Sequence, residues 1–292
     1  MFYVCLSHDV DHLHKTHQYL SHFVKYILQG KLTSAAYQIK SIFLKDNYWC
    51  LEQLMEEERK LGVTSTFYFL NETLPFRLFY PPNWRFSIGR YDILDRRIQE
   101  FIRYLDTSGW EVGVHGSFNS YKNGNLLLEE KKGLEQILGH SVNGIRQHFL
   151  NVDDETWKLQ KAAGFKYDAS YGYTNDVGFK EKRYHAFYTR QLEDYPIVPL
   201  AIMDSCLMAK PDPWKAAMEV IVEAETNKAC LVINWHQRTF NEKEFPGYGD
   251  LYFQIIRECQ DRKATFFNVD QYVEQIKENH ISIRTGQTSG PK

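Results

Sequence analysis

The chain has 292 residues, of which 43% are hydrophobic and 25% charged, a composition that fits one large α/β core or two small domains and excludes a disordered or fibrous chain. Thirty-five basic against 37 acidic residues leave a net charge of −2, so nothing in the bulk charge points to nucleic acid. No apolar run is long enough to span a bilayer, no basic region precedes a separate signal core, and the five cysteines include no CxxC pair; from these we expect a cytoplasmic location, without a transmembrane segment.

In chain order, Phe2-Tyr3-Val4-Cys5-Leu6 reads as a buried strand that runs into Ser7-His8-Asp9-Val10-Asp11. Because side chains alternate along a strand, Asp9 and Asp11 point to one side if the strand geometry persists. Two like charges there are unfavourable unless a cation offsets them, and the imidazoles of His8, His12 and His14 lie close by in sequence. Residues 15–45 read as one or two amphipathic helices inserted after this strand, with His17 and His22 as surface or packing residues.

Further β-prone runs follow at 64–70, 110–114, 142–146, 165–168, 196–202, 230–235 and 265–268. Helical patterns occupy 48–61, 92–107, 126–138, 153–163, 213–227 and 250–262, with Gly62, Gly109, Gly139 and Gly164 at the ends of four of them. The repeated order of helix, glycine and strand implies βα units and a largely parallel sheet. The stretch 71–90, with Pro75, Pro81, Pro82, Trp84, Arg85 and Phe86, reads as a long loop, a lid or substrate wall. GxGxxG, GxxxxGK[ST] and GxSxG are absent, which disfavours the common dinucleotide, P-loop and serine-hydrolase sites.

Polar residues stand where successive apolar runs stop. The first run delivers Asp9 and Asp11, and the run at 110–114 delivers His115-Gly116-Ser117-Phe118-Asn119-Ser120. The others deliver Arg146-Gln147-His148-Phe149, Asp168-Ala169-Ser170 and, after Asn234-Trp235, His236. In a parallel α/β barrel those ends share one face, the usual place for chemistry.

SHDVD at 7–11, HGSFNS at 115–120, RQHF at 146–149, YDAS at 167–170 and INWH at 233–236 together resemble the polysaccharide deacetylase family, with its NodB-homology catalytic domain. The resemblance implies a distorted (β/α)7 barrel over residues 1–281, interrupted by the helical insertion 15–45 and followed by a flexible tail at 282–292. It implies a metal-dependent hydrolase that removes an N-acetyl group from an amino sugar in a glycan or glycan precursor. On the family pattern Asp9 is the general base, Asp11 and His115 are metal ligands, Arg146 holds Asp9, His236 is the general acid and Asp168 orients it. The family's second histidine ligand falls on Asn119; either Asn119 supplies an oxygen, or His148, where the arginine motif has proline, supplies the missing imidazole. Phe149 contributes a backbone donor, and Trp235 either walls the acetyl pocket or packs the barrel. The implied cofactor is a divalent metal, Zn2+ first, with Co2+, Mn2+ or Ni2+ as alternatives. A deformylase, an O-acetyl esterase and a non-catalytic carbohydrate-binding barrel are the competing readings.

Overall fold

The computed structural model describes residues 1–44, 48–80 and 83–285. Strand β1 (Tyr3–Val10) is followed by α1 (Gln18–Leu28), α2 (Leu32–Ser41) and α3 (Leu51–Lys60), then by β2 (Ser65–Leu70), the single turn α4 (Trp84–Ser87) and α5 (Arg96–Thr107). The middle of the chain holds β3 (Glu111–Gly116), α6 (Gly124–Leu138), β4 (Gly144–Gln147), α7 (Thr156–Ala162), β5 (Tyr167–Asp168), β6 (Phe187–Thr189) and β7 (Leu192–Ile197). It ends with β8 (Ile202–Met203), α8 (Asp204–Leu207), α9 (Pro213–Thr226), β9 (Cys230–Asn234), α10 (Tyr248–Asp261), β10 (Thr265–Phe267) and α11 (Val269–Thr285).

The six expected helices all form, and Gly62, Gly109, Gly139 and Gly164 all take positive φ, the left-handed cap geometry. The insertion holds two helices, α1 and α2, and the described residues of the loop 71–90 carry only the turn α4; Lys45, Pro81 and Pro82 lie outside the described residues. The β6–β7 hairpin and α11 are not foreseen in the sequence. Helix α11 passes Ser282 and runs through Thr285, and the rest of the expected tail lies outside the described residues. No helix among the described residues is long and apolar enough to cross a membrane.

The strand order is β6-β7-β5-β4-β3-β2-β1-β9-β8, with β10 beside the first half of β1. All pairings are parallel except that of β6 with β7. The single strand expected over 196–202 is two strands toward opposite ends of the strand order: Ile197 pairs with Asp168, and Ile202 pairs with Ile233. Between them the Val198 N–H donates to the Asp168 carbonyl at 2.8 Å and the Ala201 N–H to the Val232 carbonyl at 3.0 Å. Residues 198–201 therefore carry the chain across the gap and close a distorted (β/α)7 barrel, β7 and β8 forming one bent stave.

Period-two alternation decides what each strand shows the interior. Along β1, Cys5, Ser7 and Asp9 face inward, whereas Val4, Leu6, His8 and Val10 face the helix layer. His8 meets Glu58 of α3 at 2.9 Å. The buried Glu58 carboxylate also accepts hydrogen bonds from Ser65 Oγ (2.8 Å), Trp110 Nε1 (2.8 Å) and the Tyr252 hydroxyl (2.6 Å). One side chain thus ties α3, α10 and the starts of β2 and β3 to β1, the strand that carries both aspartates. Replacing Glu58 with Ala should lower unfolding stability by about 3–5 kcal/mol, since it strands several buried donors at once; urea denaturation followed by circular dichroism measures this.

Candidate active site

The C-terminal ends of β1, β3, β4 and β9 meet at a cavity of about 330 Å3 lined by Asp9, Asp11, His115, His148, His236 and Arg238, with Phe149, Leu150 and Met203 as its apolar wall. Asp9 is still in β1, and Asp11 lies one residue beyond it. Both are buried. Asp9 Oδ1 accepts from Arg146 Nη1 at 3.0 Å and Oδ2 from Asn234 Nδ2 at 2.7 Å. Arg146 is itself fully buried and fixed by Ser7 Oγ (2.8 Å) and the Ala169 carbonyl (2.9 Å). Burial alone would raise the Asp9 carboxyl, but Arg146, then His115 and His236, hold it below the ordinary carboxylate range.

Asp11 works in two directions. Its Oδ2 accepts from Arg238 Nη1 at 2.8 Å and lies 3.4 Å from His236 Nε2. Its Oδ1 lies 3.1 Å from His115 Nε2 and 3.8 Å from His148 Nε2, yet it is a buried oxygen that accepts no hydrogen bond. Close approach without hydrogen-bond alignment is the arrangement of donor atoms that share a third centre. One ligand atom each from Asp11, His115 and His148 lies within 4.8 Å of the others. His115 Nδ1 donates to the Arg146 carbonyl at 2.8 Å, which leaves Nε2 as the ligand atom. Burial pushes the His148 ring down to about 3, Asp11 opposing this and His115 adding to it, so its imidazole is neutral and its lone pair is available. Burial works against a charge on His115, but Asp9 and Asp11 outweigh it and raise that ring; the two carboxylates favour a positive charge here, whether a proton or a metal ion. One carboxylate and two imidazoles fit a divalent metal with room for further ligands.

His148, and not an oxygen from Asn119, completes the cluster with Asp11 and His115. Asn119 begins the tight turn Ser120–Lys122 and does not line the cavity. His115 is still in the strand, so a spacing of four does not stack Asn119 beside it as it would along a helix. His148 reaches inward because the chain bends sharply after β4: Phe149 and Leu150 both take positive φ, at 59° and 53°, and these two residues then line the cavity as well.

The partner of His236 also differs from the expected one. Its Nδ1 meets Asp204 Oδ1 at 2.8 Å, and its backbone N–H donates to Asp204 Oδ2 at 2.9 Å. Asp168 instead faces α7, accepting from Trp157 Nε1, Gln160 Nε2 and the amide and hydroxyl of Ser170. Its neighbours Tyr167 and Ala169 are the inward residues of that stave. Of the two readings of Trp235, barrel packing holds and the pocket wall does not: it is fully buried in the outer layer against Tyr252, 5.3 Å between ring centroids, and does not line the cavity. Burial and Arg238 oppose a charge on His236, but Asp204, aided by Asp11, prevails and raises its pKa.

Asp204, Asn234 and Arg238 are functional candidates that the sequence reading misses. Asp204 stands just after the apolar run 196–202, so the strand-end rule that found the others points to it too. Asn234 shares the parity of His236 on β9. Arg238 lies in the turn Gln237–Phe240 and carries no such signal.

Neither a protein-family model nor a curated protein sequence matches the chain. Among solved structures, it is similar to a Mycobacterium smegmatis protein named as a polysaccharide deacetylase, with 15% identity over 95% of this chain and 90% of that one and a TM-score of 0.60. It is also similar to a CE4 family pseudoenzyme from Bacillus anthracis (11% identity, 92% of this chain, 64% of that one, TM-score 0.49). A third similarity is to the Xyl-CE4 domain of a multidomain xylanase from the hindgut metagenome of Trinervitermes trinervoides (10% identity, 94% of this chain, 91% of that one, TM-score 0.46). With the first of these the chain shares its fold, and on that fold Asp11, His115 and His148 are grouped closely enough to hold a metal ion.

Proposed function

We propose that the protein is a metal-dependent deacetylase that releases acetate from an N-acetylamino sugar. The observation that carries this reading is the arrangement of two separately clamped proton-handling groups, Asp9 and His236, around one Asp-His-His cluster in a single cavity. Asp11, His115 and His148 would hold the metal, Zn2+ by the character of the donors, with Co2+, Mn2+ and Ni2+ as alternatives. A divalent ion bound there supplies Lewis acidity, polarising the acyl carbonyl and making a water more acidic. Asp9, kept ionised by Arg146 and oriented by Asn234, takes the proton from the attacking water. Leu150, Met203 and Phe149 offer the apolar wall for the acetyl methyl. His236, whose charged form Asp204 favours and whose ring Asp204 aims into the cavity, gives its proton to the departing amine nitrogen, so that acetate and a free amino sugar leave.

Metal content tests the ligand set. Asp11→Ala, His115→Ala and His148→Ala should each lose most bound metal on elemental analysis, whereas Asn119→Ala keeps it; full metal content in the His148 variant would return the third ligand to another residue.

Asp9→Asn should keep most of its metal and lose about 10²–10⁴-fold in acetate release. Turnover near that of the unmodified protein would remove Asp9 from the role of base.

His236→Ala should slow hydrolysis of the acetamide far more than that of an activated acetyl ester, whose leaving group needs little protonation. Asp204→Asn should show the same split between the two substrates, and Asp168→Asn should not. Equal loss on both substrates together with loss of metal would make His236 a ligand.

A further inference from the structure

The helices α1 and α2 are amphipathic the wrong way round for a soluble surface. The one residue α1 buries is Gln18, and α2 buries Ala35, Gln38 and Ser41. Leu20, Val24, Ile27 and Leu28, spaced as one face of a helix, are exposed on α1. Leu32 and Ile39 are exposed on α2, and Ile42 and Phe43 just after it. Leu28 is 81% and Phe43 84% exposed. The hairpin is held to the barrel by its polar side: Lys15 Nζ and His22 Nδ1 (2.6 Å) bind the Glu244 carboxylate, and the Tyr26 hydroxyl donates to the Glu244 carbonyl at 3.2 Å.

A second segment has the same character. In the loop after β2, Phe76, Leu78, Phe79 and Tyr80 are exposed, Phe79 to 95%, together with Arg77. Both segments leave the C-terminal ends of adjacent parallel strands, and they touch where His12 Nδ1 meets the Gly89 carbonyl at 3.2 Å. They also reach the cavity: His12 lines it, and Phe86 stacks on Phe118 at 4.0 Å and meets the cavity residue Phe149 at 6.0 Å.

Charge identifies the occupant. The stretches 12–45 and 73–91 contain eight of the 35 basic residues and none of the 37 acidic ones, although the whole chain is net acidic. Lys25, Lys31, Lys40 and Arg77 are exposed beside the apolar side chains. A second copy of the chain seated on this face would set these cations against their own counterparts, whereas an anionic bilayer offsets them while its acyl boundary takes the Leu, Ile, Phe and Tyr side chains. We propose that the α1–α2 hairpin and the Phe76–Tyr80 loop form a docking surface for an anionic lipid bilayer, which brings the cavity mouth to the headgroup level. Resting on the deacetylase reading, a second step follows: the amino sugar is one carried on a membrane lipid.

The full-length protein should cosediment with vesicles of phosphatidylcholine mixed with phosphatidylglycerol, less with phosphatidylcholine alone, and less in high salt. The double variant Leu28→Glu/Phe43→Glu, and separately Phe79→Glu, should bind such vesicles about tenfold more weakly or worse while keeping the same thermal transition. An N-acetylamino sugar on a long alkyl chain in those vesicles should be deacetylated faster than the same sugar on a short soluble linker, and the double variant should lose only that advantage. Failure of the unmodified protein to bind anionic vesicles at low salt, or unchanged binding by both variants, overturns the docking surface. So does a stable dimer that the double variant dissociates, if vesicles do not bind the dimer. Vesicle binding without turnover of either sugar supports the docking surface and counts against the deacetylase reading alone.

Discussion

Two carboxylates two residues apart, buried on the same side of one strand end, set the terms for the rest of this molecule. Neither can be desolvated as an anion unless its charge is met nearby. The offsets come from all around the barrel: Arg146 from β4, Asn234 from β9, His115 from β3, and His148, His236 and Arg238 from the turns beyond those strands. No local segment supplies them. The site therefore exists only once the sheet has curled and closed, and the crossing at residues 198–201, which delivers Asp204 beside His236, belongs to the chemistry as much as to the architecture.

The same charge balance separates the two proton-handling groups. Asp9 and His236 are both buried, and burial opposes charge on each, yet each has a dedicated partner that overrides it: Arg146 for the carboxylate, Asp204 for the imidazole. The result is a carboxylate shifted toward its anion and an imidazole shifted toward its cation within one cavity, two groups whose environments push their pKa values apart. Asp11 stands between them, its Oδ2 toward His236 and Arg238 and its Oδ1 toward the two ligand imidazoles. One carboxylate thus touches both halves of the cavity.

What the sequence revealed, and what it hid, follows from the period of a strand. Apolar runs ending in polar residues located the strand ends, and Asp9, Asp11, His115, Arg146 and His236 all reach the cavity or its support. A run of buried strand sequence in a parallel barrel is apolar on both faces, so it does not announce which parity faces inward. Asp168 and the pocket-wall reading of Trp235 each stand one residue off: Tyr167 and Ala169 face inward around the first, and Asn234 and His236 around the second. Counting in twos from Asp9 works on β1 because both aspartates carry the same chemistry; β5, only two residues long, offers no such internal check. The choice of His148 over Asn119 depended on a backbone bend at Phe149 and Leu150, residues with no special liking for positive φ, and no spacing rule anticipates that.

The inserted helices expose a different limit. Periodicity reported amphipathic helices correctly, but the usual inference that the apolar stripe faces the core fails for α1 and α2. What reverses them is a buried anion. Glu244 gathers Lys15, His22 and the Tyr48 hydroxyl at 2.8 Å, and Lys15 in turn holds Gln38 of α2. Rolling the hairpin over to bury its leucines would take His22 from the buried Glu244 carboxylate and Gln38 from the Lys15 ammonium, and under-satisfied buried charges are far more unfavourable than an exposed aliphatic side chain. Polar anchoring therefore fixes the orientation, and the apolar stripe is left outside as a consequence of electrostatics. The anchor sits in the segment that continues from the turn bearing His236 and Arg238, so the outward face of the hairpin and the imidazole of the cavity are held by one short stretch of chain.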